Sequence, residues 1–191
     1  MINNSPRITS GEFRSRKLKL PKFDDLRVVR DLVRQAIFMI IGNKIKGARV
    51  MDLFAGSGVL GFESLSRGAD FVDFVDENYS CSQTILENAN TLKVSEKIAS
   101  HQVKAIGFVG NTYEKYDIVF LDPFYEDHKH KFLLQLTYDV LKEDGIVVFL
   151  HGGTDIKELI KSIPFEIYDE RKYSKTIVTY LRKKQAEITQ L

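Results

Sequence analysis

Short apolar runs alternate with stretches of helical periodicity along most of this chain. The apolar runs have the length of buried strands, and the segments between them repeat apolar residues every three or four positions. This alternation is typical of an α/β fold with a mostly parallel sheet. Strands are predicted over residues 49–54, 71–75, 97–103, 117–121 and 146–150, with a closing hairpin over 165–168 and 176–181.

The first helical segment has recognisable start and stop signals. It begins after Asp24 or Asp25 as N-cap and ends at Gly42. Later helices are predicted over residues 59–67 and 78–92, and over 132–144 with Phe132 among its inward-facing residues and Gly145 as its stop. Thr154 is predicted to cap a short helix that runs to Ile160. The polar face of the first helix carries three arginines that we expect to be solvated, Arg27, Arg30 and Arg34.

The chain before the first helix has a different character. Residues 7–20 alternate loosely around Gly11, which favours a small β-hairpin or an ordered arm. We therefore expect an arm over 1–24, a main domain over 25–184 and a tail over 185–191.

Composition indicates a soluble, globular protein with one core. The chain has 191 residues, of which 43% are hydrophobic and 28% charged. A single cysteine, Cys81, agrees with a reducing compartment, and no apolar run is long enough to span a membrane. We expect a cytoplasmic monomer. We also expect no metal site, because the histidines around Asp127 are typical of a solvated loop.

The net charge of +2 does not by itself indicate a nucleic-acid partner, but its distribution is uneven. Between residues 7 and 22, six cations face the single acid Glu12. Such a segment can contact RNA phosphates without reading base sequence, although on its own it favours a solvated basic surface.

A glycine-rich turn follows the first predicted strand. Gly56, Gly58 and Gly61 have the spacing of a nucleotide-binding turn that opens a helix. Glycine permits positive φ and lets a ligand approach the backbone amides. Asp76 lies 20 residues after Gly56, where a ribose-binding carboxylate is expected, with a helix N-cap as the alternative.

Carboxylates also follow the other predicted strands. Asp52 ends the first strand region, and Asp122 opens the sequence Asp-Pro-Phe-Tyr after the fourth strand. Ligands of doubly wound sheets bind beyond the carboxyl ends of the strands, so Asp52, Asp76 and Asp122 should meet in one crevice.

These motifs together resemble class I S-adenosylmethionine-dependent methyltransferases. The sequence from Asp52 to Gly58 resembles their cofactor motif, and the sequence from Asp122 to Tyr125 resembles the Asp/Asn-Pro-Pro-Tyr/Phe motif of amino-group methylators. A narrower resemblance is to the bacterial RsmD family, which methylates the exocyclic N2 amine of a guanine in small-subunit ribosomal RNA. That family has a Rossmann-like, seven-stranded, mostly parallel sheet with one antiparallel strand.

The resemblance implies a role for each matching residue. Asp122 and the Pro123 carbonyl would accept the amine protons, and Tyr125 would stack on an extruded base. It also implies that the partner is small-subunit rRNA or an assembling subunit. S-adenosylmethionine would be bound by Asp52, Phe54, Gly56, Gly58 and Asp76. RNA would be bound by Arg7, Arg14, Arg16, Lys17 and Arg27.

Other functions stay open at this point. Phe124 stands in place of the family's second proline, and Lys104 stands where an acidic adenine contact is usual. Both departures agree with an RNA-binding protein built on a catalytically decayed methyltransferase. The glycine spacing alone is also compatible with a nicotinamide-dependent oxidoreductase, and the Asp-Pro-Phe-Tyr motif with methylation of DNA or protein.

Overall fold

A seven-stranded sheet forms the centre of the molecule, in the order β3-β2-β1-β4-β5-β7-β6. The computed structural model describes residues 5–22, 27–123 and 130–185. The strands are β1 Arg49–Leu53, β2 Phe71–Val75, β3 Ile98–His101, β4 Tyr116–Leu121, β5 Leu141–His151, β6 Phe165–Tyr173 and β7 Thr176–Lys183. The helices are α1 Asp31–Ile41, α2 Val59–Ser66, α3 Tyr79–Leu92, α4 Ala105–Val109, α5 His130–Val140 and α6 Ile156–Leu159.

All the strands run parallel except β7, which is antiparallel to both β5 and β6. The chain moves outward from β1 to β3 and then returns to place β4 on the other side of β1. This reversal creates a crevice beyond the carboxyl ends of β1 and β4. The predicted Rossmann-like α/β fold, with one antiparallel strand, is confirmed.

Two apolar layers cover the sheet because successive strand residues point to opposite faces. Ile118 and Phe120 of β4 join the layer beneath α1, α2 and α3. Val119 and Leu121 join the layer on the other face, against α4, α5 and α6. Within the described residues, no helix is long and apolar enough to cross a membrane.

The N-terminal arm packs on the main domain. One antiparallel bridge joins Arg7 to Lys17, and Ile8 and Leu18 are buried in the layer that contains α2. Gly11 has φ +83°, and a Cβ there would lie 1.8 Å from the Ser66 carbonyl oxygen. The arm therefore folds as a short looped segment, shaped by contact with α2.

The first helix begins later than predicted, at Asp31, and its N-cap is Arg30 in an extended conformation. The proposed N-caps Asp24 and Asp25 lie outside the described residues. The expectation that Arg34 is solvated is wrong, because its side chain is fully buried. Its guanidinium donates to the carbonyl oxygen of Val29, in the extended segment just before the helix.

Several later predictions also need correction. The helix expected to end at Gly145 ends at Val140, since Leu141 already pairs with Tyr116 of β4. Phe132 was predicted to face inward but is 53% exposed. Asp155, rather than Thr154, caps α6 by accepting from the Glu158 N–H.

Candidate functional site

The glycine turn (residues 54–58) links β1 to α2 at the carboxyl edge of the sheet. Phe54, Gly56 and Gly58 adopt positive φ values of 61°, 53° and 73°. Gly58 is the N-cap of α2, and a Cβ at Gly61 would lie 2.1 Å from the Phe74 ring. Glycine is thus required here by both turn geometry and close helix packing, while Phe54 adopts a left-handed conformation that is costly for a bulky residue.

Asp52 holds the first turn of α2, directly after the glycine turn. It is 2% exposed, and its Oδ2 accepts from the Gly61 N–H at 2.9 Å. Burial raises the pKa of Asp52 well above its ordinary value, and the nearby Asp122 and Asp76 raise it further. The three predicted strand-end carboxylates therefore lie close enough to interact.

Asp76 follows β2 and joins the glycine turn to the start of α3. Its Oδ2 accepts from the Gly56 N–H at 2.8 Å, and its Oδ1 accepts from the Asn78 N–H at 2.9 Å. The N-cap of α3 is Asn78, so the capping alternative for Asp76 is wrong. Since each carboxylate oxygen can accept two hydrogen bonds, Asp76 retains acceptor capacity toward a ligand.

Cys81 lies beneath Asp76 in the first turn of α3. Burial raises the pKa of its thiol to about 12, and Asp76 adds to the shift. A thiol protonated at neutral pH is a poor nucleophile, which agrees with a packing role.

Asp122 and Pro123 form the second part of the site, directly after β4. Asp122 is half-buried, and burial raises its pKa to about 6, while the Arg27 guanidinium acts in the opposite direction. Pro123 is buried, and its carbonyl oxygen accepts from Arg27 Nη2 at 3.2 Å. Tyr125 and Phe124 lie outside the described residues, so the stacking role of Tyr125 stays a prediction.

A cavity of about 280 Å³ opens beside Asp122; we call it the Asp122 cavity. Its walls include Arg27, Val28, Val29, Asp122, Leu150 and Thr176. Ligand pockets usually measure about 300–1,000 Å³, so this cavity suits one ring system better than a whole nucleotide. Its lining combines one carboxylate and two arginines with apolar side chains, a mixture that is suited to orienting a planar polar group.

The five cations predicted to bind RNA are all exposed, but they do not form one cluster. Arg7 pairs with Asp31 at 3.1 Å, whereas Arg16 donates to the Thr91 carbonyl oxygen near the end of α3. Arg27 lies at Pro123. Among the described residues, Arg14 and Lys17 have no ion-pair partner.

Lys104 occupies the N-cap position of α4 in an extended conformation, without a capping hydrogen bond from its side chain, and is exposed. The next residue, Ala105, is buried against the apolar layer. Neither residue can supply the acidic adenine contact that is usual at this position in the family.

Sequence reasoning missed the far wall of the Asp122 cavity. Leu150 near the end of β5 and Thr176 at the start of β7 both line it. Leu150 ends a predicted strand and Thr176 begins the second strand of the predicted hairpin, and these positions were the only signal in the sequence for a role at the site. His151, which also ends β5, points elsewhere: its Nδ1 accepts from the Gly153 and Thr154 N–H groups, and its Nε2 lies 2.9 Å from Thr179 Oγ1.

Comparisons with known proteins agree with this architecture. Residues 6–182 match the family model described as Conserved hypothetical protein 95. The candidate rRNA methyltransferase YlbH of Bacillus subtilis is 37% identical over 150 residues, covering 76% of this chain and 82% of that protein. The ribosomal RNA small subunit methyltransferase D of Escherichia coli is 34% identical over 139 residues, covering 73% of this chain and 68% of the relative.

Solved structures support the same fold. A candidate methyltransferase from Escherichia coli, yhhF, superposes with a TM-score of 0.82 at 24% identity, covering 94% of this chain and 98% of that one. A candidate methylase from Haemophilus influenzae, HI0767, gives 0.79 at 25% identity, covering 95% and 99%. The chain therefore belongs to the Conserved hypothetical protein 95 family, which also contains the small-subunit rRNA methyltransferase D proteins.

Proposed function

We propose that this protein is an S-adenosylmethionine-dependent methyltransferase that acts on the N2 amine of a guanine in small-subunit rRNA. Family membership and the names of the relatives support methylation of rRNA. The single observation that carries the amine as target is the position of Asp122, which lines a small cavity, interacts with Asp52 below the glycine turn and is followed by the Pro123 carbonyl.

The residues around the glycine turn fit an adenosyl ligand. Asp76 is a half-buried carboxylate with spare acceptor capacity for a ribose diol, and the half-buried residues Phe54 and Gly56 of the turn lie at the same edge. Asp52 would act indirectly by fixing the turn through Gly61. The bound cofactor would supply an electrophilic methyl group on a sulfonium.

The Asp122 cavity would hold the acceptor amine. A guanine N2 lone pair is delocalised into the ring, so the protein must orient the amine toward the methyl group. Asp122 and the Pro123 carbonyl can each accept one amine hydrogen. The N–C bond then forms as the C–S bond breaks, and one proton leaves the amine. The ionised carboxylate is the stronger acceptor, so the raised pKa of Asp122 places the onset of full activity near pH 6.

Methyl transfer to isolated small ribosomal subunits tests this proposal. We expect radiolabel from S-adenosylmethionine in the rRNA of subunits that lack the modification, and none in large subunits, DNA or ribosomal protein. No label in any RNA would overturn the proposal, and label confined to DNA or protein would redirect it to another amine.

One observation favours a second candidate, a catalytically inactive RNA-binding protein. Arg27 already donates to the carbonyl that the amine would need. A carbonyl oxygen can accept two hydrogen bonds, so this contact does not block the amine by itself. Calorimetry distinguishes the two functions, because micromolar binding of S-adenosylmethionine is expected only if the cofactor site is intact.

A further inference from the structure

A second, wider cleft lies next to the Asp122 cavity. Its volume is about 640 Å³, and we call it the basic cleft. Arg7 and Lys17 of the arm form one side, and Arg30, Asp31 and Arg34 form the other.

The two openings share a wall. Val28, Val29 and Arg30 line both the Asp122 cavity and the basic cleft. A nucleotide whose base enters the first opening must carry its sugar and phosphate past this short segment. The flanking backbone would then continue into the second opening.

The charge in the basic cleft is strongly positive. Four cations line it against one carboxylate, Asp31. That carboxylate is shared by Arg7, at 3.1 Å, and Arg34, at 2.9 Å. Arg34 is fully buried and also pairs with Glu63 at 3.7 Å, so it serves the interior of the protein.

Three of the cations remain available to a ligand. Lys17 is exposed, and it forms no ion pair within the described part of the chain. Arg30 is also exposed, and its Nη2 donates weakly, at 3.4 Å, to the Tyr173 carbonyl oxygen. Arg7 is 67% exposed and keeps guanidinium nitrogens beyond the one bonded to Asp31.

We propose that the basic cleft binds the phosphates of the RNA nucleotides that flank the target base, through Lys17, Arg30 and Arg7. This inference rests on the proposed function, and it divides the basic arm into two groups. Lys17 and Arg7 contact the substrate next to the reacting base. Arg14 and Arg16 lie outside both openings and contribute only long-range attraction.

Salt-dependent binding of small-subunit rRNA tests the cleft. Lys17→Gln and Arg30→Gln each remove one exposed charge. If each contacts one phosphate, each variant should weaken binding about tenfold at moderate salt and lower the slope of log affinity against log salt by about one. The matched control is Lys97→Gln, an exposed lysine just before β3 at the opposite edge of the sheet.

The measurements are fluorescence anisotropy with a labelled rRNA fragment, thermal unfolding, and calorimetry with S-adenosylmethionine. We expect unchanged unfolding midpoints and cofactor affinity, with the RNA defect confined to the two cleft variants. If all three variants and the wild type show equal RNA affinity and equal salt slope, the proposal that the basic cleft binds RNA phosphates is wrong. Cleft-dependent RNA binding without methyl transfer by the wild type would support the cleft and overturn the proposed enzymatic function.

Discussion

The glycine turn and the Asp122 cavity lie at the same edge of the sheet, but they are built in different ways. The turn is local: Asp52 bonds to Gly61 and Asp76 bonds to Gly56, so β1, α2 and the end of β2 hold one another. The Asp122 cavity is assembled from distant segments, and its Pro123 carbonyl is contacted by Arg27, 96 residues earlier. Because of this difference, we expect that mutations can impair the glycine turn and the Asp122 cavity independently of each other.

The largest expected effect is on the free energy of unfolding, through the buried residue Arg34 that lies next to the cavity. Arg34→Met would remove the fully buried cation that joins the arm, Val29 and Asp31, and would leave Glu63 buried with one partner fewer. Breaking a buried ion pair on one side costs about 3–5 kcal/mol, so urea unfolding should show a loss of that size.

The matched control is Arg7→Gln, which removes an exposed partner of the same Asp31. Exposed ion pairs contribute about 0–1 kcal/mol. Equal unfolding free energies for the Arg34 and Arg7 variants would show that the buried network does not support the cavity.

The next effect separates chemistry from cofactor binding. Asp122→Ala should lower single-turnover methyl transfer by about 10²–10³-fold, because a preorganised acceptor is lost. Affinity for S-adenosylmethionine should stay within a few-fold of the wild type. Asp139→Ala, an exposed carboxylate on α5, is the control and should transfer at the normal rate. A matching loss of cofactor affinity in the Asp122 variant would mean that the two halves are not separate.

The converse variant is Asp76→Asn. It should weaken S-adenosylmethionine binding by about 10- to 100-fold, since hydrogen bonds to a charged group are worth about 1.5–3 kcal/mol. Transfer at saturating cofactor should remain close to normal. Calorimetry and single-turnover rates measure the two quantities, and normal binding by this variant would remove Asp76 from the cofactor site.

The smallest effect concerns pH. Below about pH 6 the rate should fall tenfold per pH unit as Asp122 takes up a proton and loses the charge that makes it a strong acceptor. Arg27 lowers the pKa of Asp122, so Arg27→Met should move this acid limb to higher pH. Arg27→Lys keeps the charge and should leave the limb near its original position. An acid limb that does not move in Arg27→Met would show that Arg27 does not act on Asp122.

Local features could be predicted from the sequence, whereas features assembled from distant segments could not. The alternation of strands and helices, the glycine turn and the positions of Asp52, Asp76 and Asp122 follow from local patterns, whereas the short helix α4 was not predicted. The start of α1 could not be read, since it depends on Arg34 reaching Val29 and Arg7 through the fold. The walls of the Asp122 cavity depend on which strands become neighbours, as with Leu150 and Thr176.

The burial of Arg34 could not be predicted from the sequence either. Helical spacing placed it on a polar face with Arg27 and Arg30. Its distant partners, Glu63 on α2 and the Arg7 carbonyl oxygen of the arm, reach it only in the folded protein. A periodic pattern describes one helix and carries no information about a polar partner on another.

The identity of the methylated nucleoside tests the central claim most directly. Small-subunit rRNA labelled by the wild-type protein would be digested to nucleosides and analysed by mass spectrometry. The account predicts N2-methylguanosine, because Asp122 and Pro123 are placed to hold a planar amine. Methyl groups on a ribose hydroxyl or a ring carbon would contradict it.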